Sequence, residues 1–352
     1  MARGGGRFST EELARVLSHY EIGKVKAFKP MSVGSRISAK MVVISEKGEY
    51  LLKRRGRGKA DFGRVAFSHS VQHFLLSSGF PVTTIIRPTA ENTTILQIDN
   101  HIYEMFKFVK GIRYDGSESE TIEAGYQLGR FHFILSDFVS KWKAFRSSFH
   151  NNRNVRTHLA DIGSKGVYVR DMQMHETALK LTDYYDICSE RVKDGGFSDW
   201  PEQVIHGDWH PGNLLYFEGK IVAVLDFDSV KLAPAVTDMA NGMLQFSIIA
   251  DKGGPSGWPD HFEAGRMSNF LNGYSRMLSP PGQILNSLVD LMVQTMIAET
   301  VLPIAATGFF GAFKGRDFLS MIQRKSQWLL DNREELTDLF ISGVQTSTRK
   351  EP

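Results

Sequence analysis

The apolar positions of this chain change period twice. Ser9 and Glu12 form a capping-box pattern ahead of Leu13, Val16 and Leu17, which predicts an amphipathic helix over about 10–19. From Lys24 the apolar residues alternate with polar ones. That alternation predicts strands at 25–31, 38–45 and 49–55, with Glu46-Lys47-Gly48 turning the second into the third. Asp61 caps a predicted helix running to Ser77, closed by Gly79 and Pro81, with Phe67, Val71, Phe74 and Leu75 as its apolar stripe. Strands follow at 82–87, 93–98 and 101–108, the last two joined by Asp99-Asn100.

Beyond Gly111 the period becomes helical. Ile122, Tyr126, Leu128, Phe131, His132 and Leu135 line a predicted helix over 119–138, in which His132 reads as a packed core histidine. Further helices are expected at 171–193 and near 260–278, 283–303 and 316–339. Residues 139–170, rich in Arg, Asn, Ser and Gly, are expected to be irregular, either a substrate-covering insertion or a surface connection. Two short strands, 214–216 and 221–225, flank a turn at Phe217-Glu218-Gly219-Lys220.

Composition narrows the class. A chain of 352 residues with 42% hydrophobic and 23% charged residues has material for two lobes with substantial cores. A net charge of +3 is too small at this length to argue for nucleic acid or an acidic membrane surface as a partner. The basic run Lys53-Arg54-Arg55-Gly56-Arg57 reads as a solvated strand end. Cys188 is the only cysteine, so no intrachain disulfide or cysteine-based zinc site is possible, and a reducing cytoplasm is expected. The start of the chain lacks an apolar signal region, and the best membrane candidate, 301–313, is short and interrupted by Pro303, Gly308 and Gly311. The protein is therefore expected in solution, off the membrane, as a monomer or homodimer.

The chemistry gathers around the short hairpin. His206-Gly207-Asp208 is followed five residues later by Asn213, and the second strand ends at Asp226-Phe227-Asp228. Protein kinases place H-R-D-x4-N before D-F-G. Phosphoryl transfer needs a carboxylate to orient the acceptor hydroxyl and take its proton. It also needs hard oxygen ligands for Mg²⁺ on the nucleotide phosphates. On this spacing Asp208 is the candidate base, Asn213 and Asp226 the candidate metal ligands, and His206 a brace for the loop.

His-Gly-Asp-Trp-His-Pro-Gly-Asn-Leu-Leu followed by Leu-Asp-Phe-Asp resembles the aminoglycoside phosphotransferase and choline kinase-like superfamily, which includes homoserine kinases of the second type and spore-coat or stress-response kinases. The resemblance is strongest over about 204–240 and weaker over 25–135. It implies an α+β, protein-kinase-like, two-lobed fold. Residues 1–110 would form a small nucleotide-binding lobe, with a five-stranded antiparallel sheet and one helix. Residues 111–352 would form a mainly helical large lobe. The implied activity is transfer of the γ-phosphoryl group of ATP, with Mg²⁺, to a hydroxyl of a small molecule: an amino alcohol, a sugar or an aminoglycoside.

The same resemblance assigns further residues. Lys53 matches the strand lysine that binds phosphate, and Arg54 and Arg55 are its rivals. Alternation favours Lys53, which shares a strand face with Leu51 while Leu52 and Arg54 face the other way. Gly34 and Ser35 fall in the loop expected over the triphosphate. Tyr103 to Phe106 fall at the expected hinge, so Glu104 and Phe106 become candidate adenine contacts through their backbone. Trp209 is expected to pack in the interior, with the acceptor pocket as the alternative. Asp238 resembles a loop-bracing aspartate, with an ordinary carboxylate at a helix N-terminus as the equal alternative. One departure stands out: the helix 61–77 carries no glutamate to pair with Lys53, and Ser68 or His69 occupies that place. Two rival functions remain, a protein Ser/Thr kinase and a catalytically inactive binding module. The first would need a long activation segment after Asp228, and few residues follow before helical periodicity resumes.

Overall fold

The computed structural model describes residues 8–31, 38–56, 61–89, 93–165, 168, 170–251 and 253–348, without the side chains of 163 and 345–348. In chain order, α1 (Thr10–Leu17) precedes β1 (Val25–Pro30), β2 (Ala39–Ser45) and β3 (Gly48–Arg54). Next come α2 (Phe62–Ser77), β4 (Ile85–Ile86), β5 (Leu96–Ile98) and β6 (His101–Lys107). They lead to α3 (Glu118–Leu135), α4 (Arg153–Ser164) and α5 (Met172–Asp194). Four short strands follow, β7 (Glu202–Ile205), β8 (Leu214–Phe217), β9 (Lys220–Val224) and β10 (Lys231–Pro234). The rest is α6 (Val236–Ser247), α7 (Ala264–Ser275), α8 (Gly282–Leu285), α9 (Leu288–Thr307), the hairpin β11 (Phe309–Phe310) and β12 (Phe313–Lys314), α10 (Gly315–Asp331) and α11 (Arg333–Thr348).

These elements cluster into two units. The first comprises Met1–Arg113, Asp137–Phe145 and Leu214–Val230; the second comprises Tyr114–Ser136, Arg146–Asn213 and Lys231–Pro352. The single cut expected at 110/111 does not describe this division. The β8–β9 hairpin joins the sheet unit because the Val224 N–H donates to Pro81 O at 2.7 Å and Ile112 bridges to Tyr216.

The sheet unit holds an antiparallel sheet in the order β1-β2-β3-β6-β4, with β5 also paired to β6. It thus has six strands, one for each stretch that the alternation predicts and one more than the resemblance implies. The capping box at Ser9 and Glu12 starts α1. Its Leu13 and Val16 pack with Val43, Leu52 and Met105 on one face of the sheet. Leu52 is completely buried there, so Lys53 must point to the opposite face. Asp99 and Asn100 both adopt left-handed φ (48° and 55°), as a two-residue hairpin turn requires.

In the helical unit, α3 and α7 pack backbone to backbone. A Cβ at Gly125 would lie 1.8 Å from Phe270 O, and one at Gly273 would lie 1.9 Å from Ile122 O. Gly129 faces Tyr274 O in the same way. Three sequence expectations are corrected here. The stretch 139–170 contains α4, built on buried Val155, Leu159 and Ile162. The helix expected over 316–339 is two helices. They part at Asn332, whose side-chain amide and backbone N–H both donate to Trp328 O, at 2.8 and 3.1 Å. Among the described residues, the apolar segment long enough to cross a membrane, by length and composition, is α9 and not 301–313; 78% of its apolar window is buried, as in a core helix.

The glycine contact generates a stability prediction. Gly125→Ala should destabilise the protein by about 3 kcal/mol or more, because its Cβ meets backbone that cannot rotate away. Ala substitution at exposed Gly282, where a Cβ meets nothing within 4 Å, should change stability by roughly 0.5 kcal/mol or less. Urea midpoints of the two variants check this.

Candidate active site

In the sheet unit, six charged or titratable side chains converge from β3 and the residue after it, β6, α2 and the turn after β9. Lys53 is almost fully buried. Its Nζ donates to Asp228 Oδ1 at 2.8 Å and lies 3.4 Å from Asp226 Oδ1. Arg55 is also buried. Its Nε and Nη2 donate to the two oxygens of Glu104 at 2.7 and 3.0 Å, and Nη2 also reaches Asp228 Oδ1 at 2.7 Å. His69 Nε2 donates to Glu104 Oε1 at 2.7 Å, and Thr94 Oγ1 lies 2.6 Å from the other ring nitrogen. Burial alone would raise the Glu104 carboxyl, but Arg55, His69 and Lys53 hold it far below the usual carboxylate range. Burial opposes the charge on Lys53 too; Glu104, Asp226 and Asp228 reverse that and raise its pKa.

Several expectations are corrected by this network. Lys53 and Arg55 are not a solvated strand end. Neither Ser68 nor His69 is the partner of Lys53; Ser68 Oγ donates to Phe227 O at 3.0 Å, and the lysine is held by the two aspartates. Glu104 and Phe106 do not lie at a free hinge edge. Both are inside β6, where Glu104 pairs with Lys53 and Phe106 pairs with Leu51 and Ile85, and the strand runs on to Lys107. Gly34 and Ser35 lie outside the described residues.

Asp226 adopts a left-handed backbone (φ 57°, ψ 71°), a region few non-glycine residues visit. That conformation turns the chain at the end of β9 and sends Phe227 into the interior, 4% exposed. The carboxylates on either side of it meet Lys53.

The helical unit builds the other half of the motif. Asn213 Nδ2 donates to Asp208 Oδ2 and to Asp208 O, both at 3.0 Å. His210 Nδ1 accepts from the Gly212 N–H at 3.0 Å, so Nε2 carries the ring proton; it lies 3.7 Å from Asp208 Oδ1. Burial would raise the Asp208 carboxyl; His210, His206 and Asn213 together bring it below its ordinary value. Asp208 is therefore ionised at neutral pH. Gly207 takes φ 75°, which suits glycine between His206 and Asp208.

Asp238, on α6, holds this loop. Its carboxylate accepts the His206 N–H at 2.6 Å and the Gly207 N–H at 2.8 Å. His132 Nε2 lies 3.4 Å away on Asp238 Oδ2, and His132 Nδ1 is 3.0 Å from Tyr274 OH. His132 is thus buried, as expected, and also braces the brace. Trp209 is fully buried against Phe131 and His206, which makes it packing and not pocket wall. Asp290 is clamped by Arg191 and Arg333 at 3.4 and 2.8 Å, a structural role. Glu299 is different. Burial and the negative charge of Asp208 push its carboxyl up to about 7, and Gln245 Nε2 donates to it at 3.3 Å. The sequence offered no reason to rank it above its neighbours, because its environment is set by packing.

The donor set suits a divalent cation shared with a ligand. Among the described residues no three or more His, Cys, Asp or Glu side chains gather as an all-protein metal cage. Mg²⁺ at nucleotide sites takes one or two carboxylates plus phosphate and water, so no cage is required. Both Asn213 bonds to Asp208 use Nδ2, and its carbonyl Oδ1 is the atom suited to a hard cation.

A buried strand lysine facing an Asp-Phe-Asp turn, and a His-Gly-Asp loop strapped to a following helix, define the protein-kinase-like class of fold. Within it, the chain belongs to the phosphotransferase enzyme family (APH), which matches residues 29–277. A homoserine kinase from Methylocella silvestris is 23% identical over 220 residues, 62% of this chain; the match spans 64% of that relative's length. Among solved structures, a microcompartment-associated aminopropanol kinase superimposes with a TM-score of 0.72 at 13% identity, over 94% of this chain and 99% of that one. An amicoumacin kinase, in complex with AMP-PNP and Ca²⁺, gives 0.66 at 15% identity over 94% of each chain. At these identities the structural likeness speaks for the fold.

The brace generates the next prediction. Asp238→Asn should cost about 1.5–3 kcal/mol at neutral pH, the range for hydrogen bonds to a charged group. Burial raises the Asp238 carboxyl, but His132, His206 and the Gly207 N–H outweigh it and lower its folded pKa. Its stabilising effect is therefore complete above the ordinary aspartate value and is lost as pH falls through the lowered folded value. Urea unfolding of wild type and variant, at neutral and strongly acidic pH, should show the gap closing in acid. A gap that persists unchanged in acid would contradict this role for the carboxylate.

Proposed function

We propose that the protein transfers the γ-phosphoryl group of ATP to a hydroxyl of a small molecule, with Mg²⁺. The observation that carries this reading is Asp208. It is ionised, tied to Asn213, and set in a loop that Asp238 holds by two backbone N–H groups. A carboxylate fixed in this way can orient an acceptor hydroxyl and accept its proton as the oxygen bonds to the γ-phosphorus and the β–γ bridging bond breaks. Lys53 would neutralise phosphate oxygens. Asn213 and Asp226 are the proposed Mg²⁺ ligands; a bound divalent ion would supply charge neutralisation at the β- and γ-phosphates. Membership of the phosphotransferase family supports this, as does the AMP-PNP and Ca²⁺ complex of a similar fold.

A metabolite-sized acceptor fits the chain better than a peptide. After Asp228 one turn leads into β10, and α6 begins at Val236. No segment of activation-loop length intervenes to form a peptide platform. The names of similar proteins, a homoserine kinase and an aminopropanol kinase, support an amino alcohol, with sugars and aminoglycosides as the other members of the class.

A screen of hydroxyl acceptors with labelled ATP should find a small-molecule product; turnover of peptides alone would contradict the reading. With the acceptor in hand, Asp208→Asn should lower kcat by about 10²–10⁴-fold while ATP affinity holds. A loss under roughly fivefold would remove Asp208 as the base. Asp226→Ala should abolish the Mg²⁺ dependence of nucleotide binding. If titrations with and without Mg²⁺ still differ as in wild type, Asp226 is not a ligand.

A further inference from the structure

The sheet unit contains a charged network larger than one phosphate lysine needs. We propose that Arg55 is a second phosphate-binding cation of the nucleotide site, held in position by Glu104 of β6 in place of a carboxylate on α2. The inference rests on the kinase reading above and adds two residues to it.

Residues 62–77 of α2 contain no acid. The acid enters from the sheet: Glu104 sits directly across from Lys53 in the β3–β6 register. It grips Arg55 through both the Nε and Nη2 sides of the guanidinium fork. His69 and, behind it, Thr94 fix the carboxylate from α2 and from the segment before β5. Such a two-point grip orders the arginine before any ligand arrives, and a planar guanidinium suits phosphate geometry. Arg55 lies two residues after Lys53, so alternation directs both side chains to the same face. Both meet a single oxygen, Asp228 Oδ1, at 2.7 and 2.8 Å.

The charge balance points the same way. Lys40, 3.9 Å from Asp226, joins Lys53 and Arg55 as the cations, against Glu104, Asp226 and Asp228. Among the ion pairs that the described residues form here, three positive side chains face three negative ones. A divalent cation on Asp226 would add two positive charges and compete with Lys53 for that carboxylate. The three cations would then keep only two of these carboxylates, Glu104 and Asp228, and a polyphosphate restores the balance. Glu104 retains Arg55 throughout, because its carboxylate is buried with the guanidinium and His69.

The test is calorimetric binding of ATP, ADP and adenosine, with Mg²⁺, to the full chain. Arg55→Met should weaken ATP and ADP about 10- to 100-fold, the size of one lost charge-assisted contact, and leave adenosine unchanged. Arg55→Lys should recover part of the loss. Glu104→Gln should follow Arg55→Met, and the double variant should bind ATP no worse than Arg55→Met alone. If Arg55→Met does not fold, the double variant, which leaves no buried charge unpaired between these two positions, carries the comparison. ATP affinity within roughly twofold of wild type in Arg55→Met or the double variant would overturn the proposal. So would an equal loss for adenosine, the mark of a purely structural strut. Lys53→Met separates the two levels of the argument. If it weakens ATP and Arg55→Met does not, only the arginine assignment falls. If wild type does not bind ATP, the kinase reading itself falls.

Discussion

Two cations on one carboxylate oxygen is the constraint around which the sheet unit is arranged. Lys53 and Arg55 both reach Asp228 Oδ1, and like charges that close repel unless each has a further anion. Asp226 supplies one for the lysine, and Glu104 supplies one for the arginine. Each requirement fixes an element. Alternation along β3 and into the residue that follows it puts both cations on one face. The β3–β6 register brings Glu104 opposite Lys53. The left-handed turn at Asp226 sets the two aspartates on either side of Phe227, and α2 contributes His69. Removing one member of such a buried set costs about 3–5 kcal/mol in comparable pairs, since a charge is left uncompensated.

The helical unit depends on a different chain of contacts. Glycines at 125, 129 and 273 let α3 and α7 approach at backbone distance. That approach brings His132 of α3 within 3.0 Å of Tyr274 of α7. The ring so fixed meets Asp238, which in turn holds the loop at His206 and Gly207. The orientation of Asp208 thus traces back to the absence of side chains on a helix pair that carries no chemistry of its own.

Local patterns in the sequence were enough for much of this. The capping box of α1, the Asp61 cap of α2 and the turn at Asp99-Asn100 depend on neighbours within a few residues. The face of Lys53 was readable because Leu52 had to enter the core. The role of Glu104 was hidden, since a register between strands fifty residues apart decides what it meets. Order along the chain marked it as hinge backbone, but it cannot say where a strand ends, and β6 continues to Lys107. The missing glutamate of α2 was visible, while its replacement from the sheet was not. Helix α4 did leave a signal: Val155, Leu159 and Ile162 recur at helical spacing behind Asn152, diluted by polar residues.

The left-handed backbone at Asp226 has an evolutionary side. Glycine adopts that conformation without strain, asparagine with little, and most other residues pay about 1–3 kcal/mol. The changes that relax this turn most easily, to glycine or asparagine, also delete the carboxylate from the motif. Selection for stability and selection for chemistry therefore pull in opposite directions at this one position. A lineage released from catalysis could drift here toward a sturdier fold, and a silent descendant would be betrayed by Gly-Phe-Asp or Asn-Phe-Asp at the end of its second hairpin strand.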